Sequence, residues 1–237
     1  MQPMIYRFCL ILFFLPVCLS AQHTGVPPDA LMVRRTDNFD VSGKGTAKEW
    51  GTTDWIALQK RKGSAGYTTR VKLLYSETGI YALFSCEDKK ITATMKEDFA
   101  DLWTEDVVEI FFWTDTSTSL YFEYELSPLN YELAILVPNM DGTFLGWKPW
   151  QYEGERKTRH ATNIVRDQNG KVNEWIAEFF IPYALLKPLR NVPPTKGTEW
   201  RVNMYRIDHD QQNTSWSWKP VQKNFHDYEK FGVMKFE

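Results

Sequence analysis

Apolar and polar residues alternate along two neighbouring stretches near the middle of the chain. In the first, residues 107–113, Val108, Ile110 and Phe112 fall on one side of an extended strand. In the second, residues 120–126, every second residue from Leu120 to Leu126 is apolar or aromatic. The connecting segment 114–119 is short, polar and rich in turn-forming residues. The sequence therefore predicts an antiparallel hairpin with one face in a hydrophobic core.

The opposite face of this hairpin combines aromatic rings with carboxylates. It carries Val107, Glu109, Phe111, Trp113, Tyr121, Glu123 and Glu125. A face exposed only to solvent usually lacks so many rings, so this face is a candidate binding surface.

The rest of the chain repeats the same strand-and-turn pattern. Asn-Gly at residues 169–170 is a strong hairpin signal, and a short helical turn is expected at residues 182–186. Residues 89–100 are polar and suit one short helix. Further strands are predicted over residues 70–75, 80–88, 131–137, 160–166, 173–181, 200–208 and 230–237. The predicted fold class is all-β, an antiparallel β-sandwich with little helix.

The first residues have the features of a secretory signal peptide. Arg7 precedes an apolar run over residues 8–15, and Ala21 supplies a small residue at the expected cleavage point. Lipid attachment at Cys18 is the weaker alternative, because bulky Val17 precedes it. We therefore predict a signal peptide over residues 1–21, a leader over 22–36 and one domain over 37–237. The expected location is periplasmic or extracellular, with no membrane span.

Charge and cysteine content narrow the choice of partners. The formal charge of −2 argues against nucleic acid, whose phosphates need a basic surface. Cys86 is the one cysteine after residue 21 and lies in an apolar strand pattern, so we expect a buried, inert thiol.

All ten tryptophans follow residue 21, which is more than one core usually needs. Some of these rings are therefore expected on a ligand-binding surface.

Six segments in a fixed order resemble one known family. They are residues 39–43 (FDVSG), the Trp103 to Phe111 segment, residues 174–182 (EWIAEFFIP), 200–203 (WRVN), 215–218 (SWSW) and 225–232. Together they resemble the family 9 carbohydrate-binding modules, within the wider group of DOMON-like β-sandwiches. The resemblance covers residue 37 to the C-terminus. It implies non-catalytic binding of a mono-, oligo- or polysaccharide, with glycoside hydrolases as expected partners.

The same resemblance implies a set of binding residues. In this family two aromatic rings sandwich a sugar while polar side chains bind its hydroxyl groups. Trp103 matches the first ring and Glu109 the carboxylate six residues later. Phe225 lies where the second ring is expected, and Gln222 lies near the expected amide. Trp218 is an alternative second ring.

Each of these residues also has a structural alternative. Trp103 could cover the rim of the sandwich, and Phe225 could fill the core. Glu109 could pair with a basic neighbour such as Arg201. Trp216 shares the loop of Trp218 and could replace it as the second ring. The sequence departs from the family at Glu123, where a basic hydroxyl-binding residue is expected, and this departure bears on the sugar specificity.

Calcium is the cofactor that the resemblance implies. Family members carry structural calcium, and hard oxygen donors occur in the predicted loops of this chain. The candidates are Asp88, Asp101, Glu105 and Asp106. The resemblance does not match them to calcium ligands one by one.

Two other classes of function were considered. Glu109 and Glu123 could lie opposite one another on adjacent strands, as paired carboxylates do in glycoside hydrolases. No Ser-His-Asp motif or metal-ligand spacing supports another enzyme. Some DOMON-like domains hold haem through an axial Met or His, but Met204 follows the inward pattern of its strand, so no haem is expected.

Overall fold

The computed structural model describes residues 30–210 and 213–237. The predicted signal peptide, and the part of the predicted leader before residue 30, lie outside these residues. The described chain is built almost entirely from strands, as the alternating patterns predict.

Fifteen strands and one short α-helix are present in the described ranges. The α-helix, α1, is Tyr183–Leu186, and four single 3-10 turns occur at Lys48–Thr52, Leu102–Thr104, Gly154–Arg156 and Tyr228–Lys230. The strands are β1 Leu31–Arg35, β2 Ile56–Ala57, β3 Gln59–Lys62, β4 Thr69–Tyr75, β5 Gly79–Glu87, β6 Val107–Trp113, β7 Leu120–Leu126, β8 Glu132–Met140, β9 Thr143–Phe144, β10 Lys148–Pro149, β11 Arg159–Arg166, β12 Val172–Pro182, β13 Glu199–Asp208, β14 Thr214–Ser217 and β15 Gly232–Phe236.

The strands form two layers that share one strand. The first layer follows the order β10-β8-β7-β6-β13-β15, with β14, β3 and β9 attached to it. The second follows β4-β5-β12-β11, with β2 at its edge. β1 runs parallel to β15 and to β4, through the pairs Leu31–Met234 and Arg34–Leu74. β1 therefore joins the two layers into a continuous sheet that folds over on itself.

The main core lies between the two layers. From the first layer, Ile110 on β6 and Met204 on β13 face inward. From the second, Phe84 on β5 and Trp175 on β12 meet them. Burial of alternate residues from both sheets is what holds a β-sandwich together. The predicted antiparallel β-sandwich is confirmed, as is the inward orientation of Val108, Ile110 and Phe112.

Each layer also carries a smaller apolar cluster on its outer face. On the second layer, Trp50, Tyr81 and Phe180 form one such cluster. On the first, Phe111, Tyr121 and other side chains form another, which the segments around Leu102 and Tyr228 cover. The mixed aromatic and acidic face predicted from the sequence is therefore the outer face of the first layer.

Two local predictions differ from the structure. Residues 31–35 were expected in a leader, but they form β1, and their partners in the sheet are distant in the sequence. Residues 89–100 form turns and irregular structure instead of a helix. The expectation for Cys86 is confirmed, since the residue is fully buried and burial raises the pKa of its thiol to about 12.

Candidate functional site

A cavity of about 670 Å³ opens on the outer face of the first layer. Its floor is formed by side chains of β6, β7 and β8, among them Glu109, Glu123 and Leu133. Strands β3, β9, β13 and β14, the 3-10 turn Leu102–Thr104 and the loop segments at Trp147, Asn213 and residues 223–226 complete its lining. A volume of several hundred Å³ is typical of a small-molecule site.

Trp103 lines this cavity from the 3-10 turn before β6. Its neighbour Leu102 is buried and fixes the turn to the sheet, while the Trp103 side chain remains 48% exposed. The backbone N–H of Trp103 also interacts with the Glu125 carboxyl and lowers its pKa, against the larger effect of burial. The turn therefore holds the Trp103 ring at the cavity, where the ring is not needed to fill the hydrophobic core.

Phe225 brings a second ring from the loop before β15. The ring stacks on Tyr205 of β13, with centroids 4.1 Å apart and planes 11° from parallel. The Tyr205 hydroxyl also donates to the Phe225 carbonyl at 2.9 Å. The Arg61 guanidinium lies 5.6 Å from the ring centroid. Phe225 is half-buried and held in a fixed orientation, which lowers the entropy cost of stacking against a ligand.

Three glutamates share the floor of the cavity. Glu109 on β6 and Glu123 and Glu125 on β7 line it, and their side chains are only 1–3% exposed. Burial is the main cause that raises the pKa of all three carboxyls well above the usual range, and each is raised further by a neighbouring glutamate. The floor therefore carries neutral carboxyl groups at pH values where exposed glutamates are ionised.

His226 adjoins this floor without neutralising it. Its ring stacks on Phe144 with centroids 4.1 Å apart, and its Nδ1 lies 2.6 Å from the Tyr121 hydroxyl. The same nitrogen is 3.6 Å from Oε2 of Glu123. Burial lowers the His226 pKa to about 4, so the imidazole is neutral at physiological pH.

Trp147 and Trp150 have different roles, although only two residues separate them. Trp147 is 41% exposed and lines the cavity together with Phe144. Trp150 packs against the main core, and its indole N–H donates to the Leu185 carbonyl at 2.9 Å. One ring therefore packs on the main core, and the other lines the cavity.

The structure brings together three of the five predicted site residues. Trp103, Glu109 and Phe225 line the same cavity. Gln222 is exposed outside its lining, and its backbone N–H bonds Asp227. Trp218 packs against the main core and lies beside Gly232. Of the amide side chains that line the cavity, the one closest to Gln222 in the sequence is that of Asn224.

Two of the alternatives considered for the strand residues are resolved by the register. Arg201 lies opposite Trp113 and donates to the Phe231 carbonyl at 3.1 Å, so it is not the partner of Glu109. The residue directly opposite Glu109 is Glu125, and the prediction that Glu123 occupies that position is wrong. Trp216, the alternative ring in the C-terminal loop, is buried in the main core.

Several residues of the cavity were not identified from the sequence. Glu125 was placed on the correct face, but the hairpin register that brings it opposite Glu109 was not resolved. Arg61, Phe144 and Asn224 come from segments without a periodic pattern, and only the tertiary fold brings them to the cavity. No local sequence signal marks them.

A second acidic group lies at one end of the main core. Asp88 and Asp208 accept hydrogen bonds from Arg206 at 3.0 and 2.6 Å, and Asp210 adjoins them. Burial raises the pKa of Asp88 to about 6. In this set the Arg206 guanidinium already supplies positive charge between two of the carboxylates.

The four candidate calcium ligands do not converge. Asp106 accepts backbone N–H groups of Thr92 and His209, and Glu105 bonds the Thr94 segment. Asp101 is exposed, and Asp88 belongs to the group around Arg206. These contacts give the carboxylates of Asp88, Glu105 and Asp106 separate structural roles and do not assemble a calcium-binding shell from the four. Met204, considered as a haem ligand, is fully buried in the main core.

Comparison with known proteins identifies similar domains. The family model described as "Carbohydrate family 9 binding domain-like" matches residues 41–237. A structure from Bacteroides uniformis ATCC 8492, of a protein proposed to bind carbohydrate, superposes with a TM-score of 0.73 at 14% identity, covering 88% of this chain and 99% of the other. A family 9 module from Caldicellulosiruptor kristjanssonii in complex with cellotriose superposes with a TM-score of 0.64 at 13% identity, covering 88% and 93%. Its complex with glucose gives 0.60 at 12% identity, covering 87% and 95%. At these identities the superpositions show the fold alone.

A search of curated protein sequences finds no match to the chain. Across residues 30–210 and 213–237, no helix combines the length and apolar character needed to cross a bilayer.

Proposed function

Because the chain belongs to the carbohydrate family 9 binding domain-like family, we propose that it binds a sugar non-catalytically in the cavity on the outer face of the first layer. Trp103 and Phe225 stack on the C–H faces of the sugar ring. The carboxyl groups of the floor and the amide of Asn224 exchange hydrogen bonds with its hydroxyl groups.

One observation carries this proposal. Rings distant in sequence, at Trp103 and Phe225, line the same cavity as buried polar groups that point away from the core. A soluble domain gains no stability from leaving a tryptophan half exposed beside buried carboxyls. A ligand with apolar faces and hydroxyl edges satisfies both features. The relatives from Caldicellulosiruptor kristjanssonii, in complex with cellotriose and glucose, add support from the same fold.

Calorimetric titration of the mature protein tests the proposal. The panel contains glucose, cello-, xylo- and manno-oligosaccharides, each with and without calcium, since structural calcium remains a prediction. We expect saturable heat for at least one sugar and its loss in Trp103→Ala. Trp55→Ala is the matched control, because Trp55 is 37% exposed and lies outside the cavity. A flat panel with a folded protein contradicts the proposal.

Glycoside hydrolysis is the second candidate, favoured by the carboxyls of Glu109, Glu123 and Glu125 in one cavity. A glycosidase needs one carboxyl protonated and another ionised. Here burial raises the pKa of all three, so none is distinguished as the ionised partner. Non-catalytic binding therefore fits better, and release of reducing ends from any oligosaccharide of the panel would reverse this choice.

We also propose that the chain acts outside the cytoplasm, where polysaccharides and glycoside hydrolases occur together. The support is the signal-peptide pattern of residues 1–21, which lies outside the described residues. N-terminal sequencing of the exported protein tests it, with Gln22 as the expected first residue.

A further inference from the structure

The floor of the cavity differs from an ordinary sugar site in its concentration of acid. Glu109, Glu123 and Glu125 project from the same face of two paired strands, since alternate residues of a strand share a face. Each is almost fully buried, yet each lines the cavity. Three buried carboxyls side by side in one cavity are costly to maintain, which calls for a functional explanation.

Two oxygens of this floor lack hydrogen-bond partners. Oε2 of Glu123 and Oε2 of Glu125 are buried and have no hydrogen-bond partner among the described residues, although the two side chains interact with each other. An orphaned acceptor at the floor of a cavity is a position that a ligand donor can fill. These oxygens are therefore an observation, independent of the acidic cluster itself, that points to a ligand.

Among the residues that the structure describes, no lysine or arginine forms an ion pair with a floor glutamate. The ion-pair contact recorded for Glu123 is with Nδ1 of His226, whose ring is neutral. Arg61 is engaged at Phe225 and donates to the Lys223 carbonyl at 3.1 Å. Lys62 and Lys223 also line the cavity, and both are exposed. Other ionisable groups near the floor are the hydroxyls of Tyr121 and Tyr205, whose pKa values burial raises, and the Asp101 carboxylate, whose charge raises the pKa of Glu125.

A single divalent cation does not explain the arrangement. In the part of the chain that the structure describes, one set of three His, Cys, Asp or Glu side chains places its ligand atoms within 4.8 Å of one another, and that set is Asp88, Asp208 and Asp210. The carboxyl oxygens of the three floor glutamates do not form such a set. Carboxyl groups spread around the floor match a ligand with several hydrogen-bond donors better than they match a single metal ion.

We propose that the cavity selects sugars with a free, protonated amino group over their neutral counterparts. This inference rests on the proposed sugar-binding function and specifies its substrate class. An ammonium group carries three N–H donors and a positive charge, which match the acceptors of Glu109, Glu123 and Glu125. The rings of Trp103 and Phe225 pack against the sugar ring itself. An N-acetylated sugar lacks the charge and two of the donors.

The test compares three ligands that differ at one carbon, namely glucosamine, glucose and N-acetylglucosamine, by calorimetric titration. We expect glucosamine to bind about tenfold or more tightly than glucose, the effect of a charge-assisted hydrogen bond in a desolvated site. Binding of the cation ionises floor carboxyls and releases protons. The glucosamine titration should therefore give heats that change with the ionisation enthalpy of the buffer, and the glucose titration should not.

Variants assign the selectivity to the floor. Glu123→Gln and Glu125→Gln keep the size of the side chain and remove its capacity for charge, so each should bring the affinities for glucosamine and glucose toward equality. Glu155→Gln, at an exposed site outside the cavity, should keep the wild-type ratio. The wild-type ligand comparison stays decisive if a variant folds poorly.

The outcomes separate this inference from the proposed function. If glucose binds as tightly as glucosamine, and Trp103→Ala abolishes both, sugar binding stands and amino-sugar selectivity is wrong. If glucosamine is preferred but both Gln variants keep that preference, the assignment to the floor carboxyls is wrong. If no saccharide binds, both proposals fail.

Discussion

Glu109 on β6 lies directly opposite Glu125 on β7, and both side chains point into the same cavity floor. Side chains at paired positions of an antiparallel sheet have Cβ atoms about 4.5–5.5 Å apart, and like charges there repel. Burial strengthens this repulsion because solvent screens it less. The pair is compatible with a folded sheet because the carboxyls stay protonated, as the raised pKa of each indicates.

This pair predicts an unusual dependence of stability on pH. A carboxyl with a raised pKa keeps its proton in the folded state at pH values where the unfolded chain has released it. The folded state then binds more protons, so the free energy of unfolding falls as pH rises above about 4.3, the unperturbed glutamate pKa, through the raised values. Urea unfolding of the wild type, measured from about pH 4 to about pH 8, should show this decline in the free energy of unfolding.

Glu109→Gln should weaken the decline, because glutamine mimics the neutral carboxyl at every pH. Each unit of pKa shift removed is worth about 1.4 kcal/mol, so the variant should be more stable than the wild type near neutral pH by at least about that amount. Glu155→Gln, at an exposed site, should reproduce the wild-type curve. A Glu109→Gln curve parallel to that of the wild type would show that Glu109 is ionised in the folded protein.

Phe225 provides a second prediction, about ligand affinity. Its ring is positioned by stacking on Tyr205 and lines the cavity. Phe225→Ala removes one platform and should lower sugar affinity about tenfold, the upper range for a single aromatic contact. Phe225→Trp should keep or increase the affinity, since a larger ring covers more of the sugar. Calorimetric titration measures both, and unchanged affinity in Phe225→Ala would place the sugar elsewhere in the cavity.

The hairpin at the centre of this site was predictable because its pattern is local. Alternation over residues 107–113 and 120–126 fixes which side chains share a face, and the short polar connection fixes the antiparallel pairing. The faces of β6 and β7 are therefore those that the sequence predicts. The register is harder to predict, because it depends on how residues are accommodated in the turn. This is why Glu123, and not Glu125, was expected opposite Glu109.

Contacts between distant segments could not be read from local patterns. β1 is only five residues long and carries two arginines, and its partners are about 40 and 200 positions away in the sequence. Similarly, Trp103 and Phe225 meet at one cavity although more than a hundred residues separate them. The resemblance to a family supplied this pairing where periodicity did not. It also predicted an amide at Gln222, but the amides in the cavity lining are those of Asn213 and Asn224.

Arg206 yields a prediction about stability. Its guanidinium is fully buried, donates to Asp88 and Asp208, and lies 4.9 Å from the Trp216 ring centroid. Removing one member of a buried ion network leaves the others without compensation, which costs about 3–5 kcal/mol. Arg206→Met should therefore lower the free energy of unfolding by that amount in urea titrations. Arg201→Met, at an exposed position of the same strand, is the control and should have a much smaller effect.

Glu178 joins two of the family's sequence segments that lie far apart in the chain. One carboxylate oxygen accepts the Trp50 indole N–H at 2.8 Å. The other accepts the backbone N–H groups of Ser42 and Gly43 at 3.0 and 2.8 Å and the Ser42 hydroxyl at 2.9 Å. Gly43 adopts φ +74°, and a Cβ there would lie 2.9 Å from the Ala161 backbone. The Glu178 carboxylate therefore accepts hydrogen bonds from the backbone of the irregular segment at residues 42–43, as a neighbouring strand would in a sheet.

Glu178→Gln should destabilise the fold without affecting the sugar site. An amide can accept on only one side, so either the indole N–H or the backbone N–H groups lose a buried acceptor, at a cost of about 1–3 kcal/mol. The loop packs on the outer face of the second layer, away from the cavity, so sugar affinity should remain at the wild-type value. Glu174→Gln is the matched control on the same strand, because Glu174 accepts the Ser85 hydroxyl at a half-buried position on the same face of the strand as Glu178. We expect Glu174→Gln to cost less than about 1 kcal/mol. Equal urea midpoints for the two variants would show that Glu178 does not fix the loop.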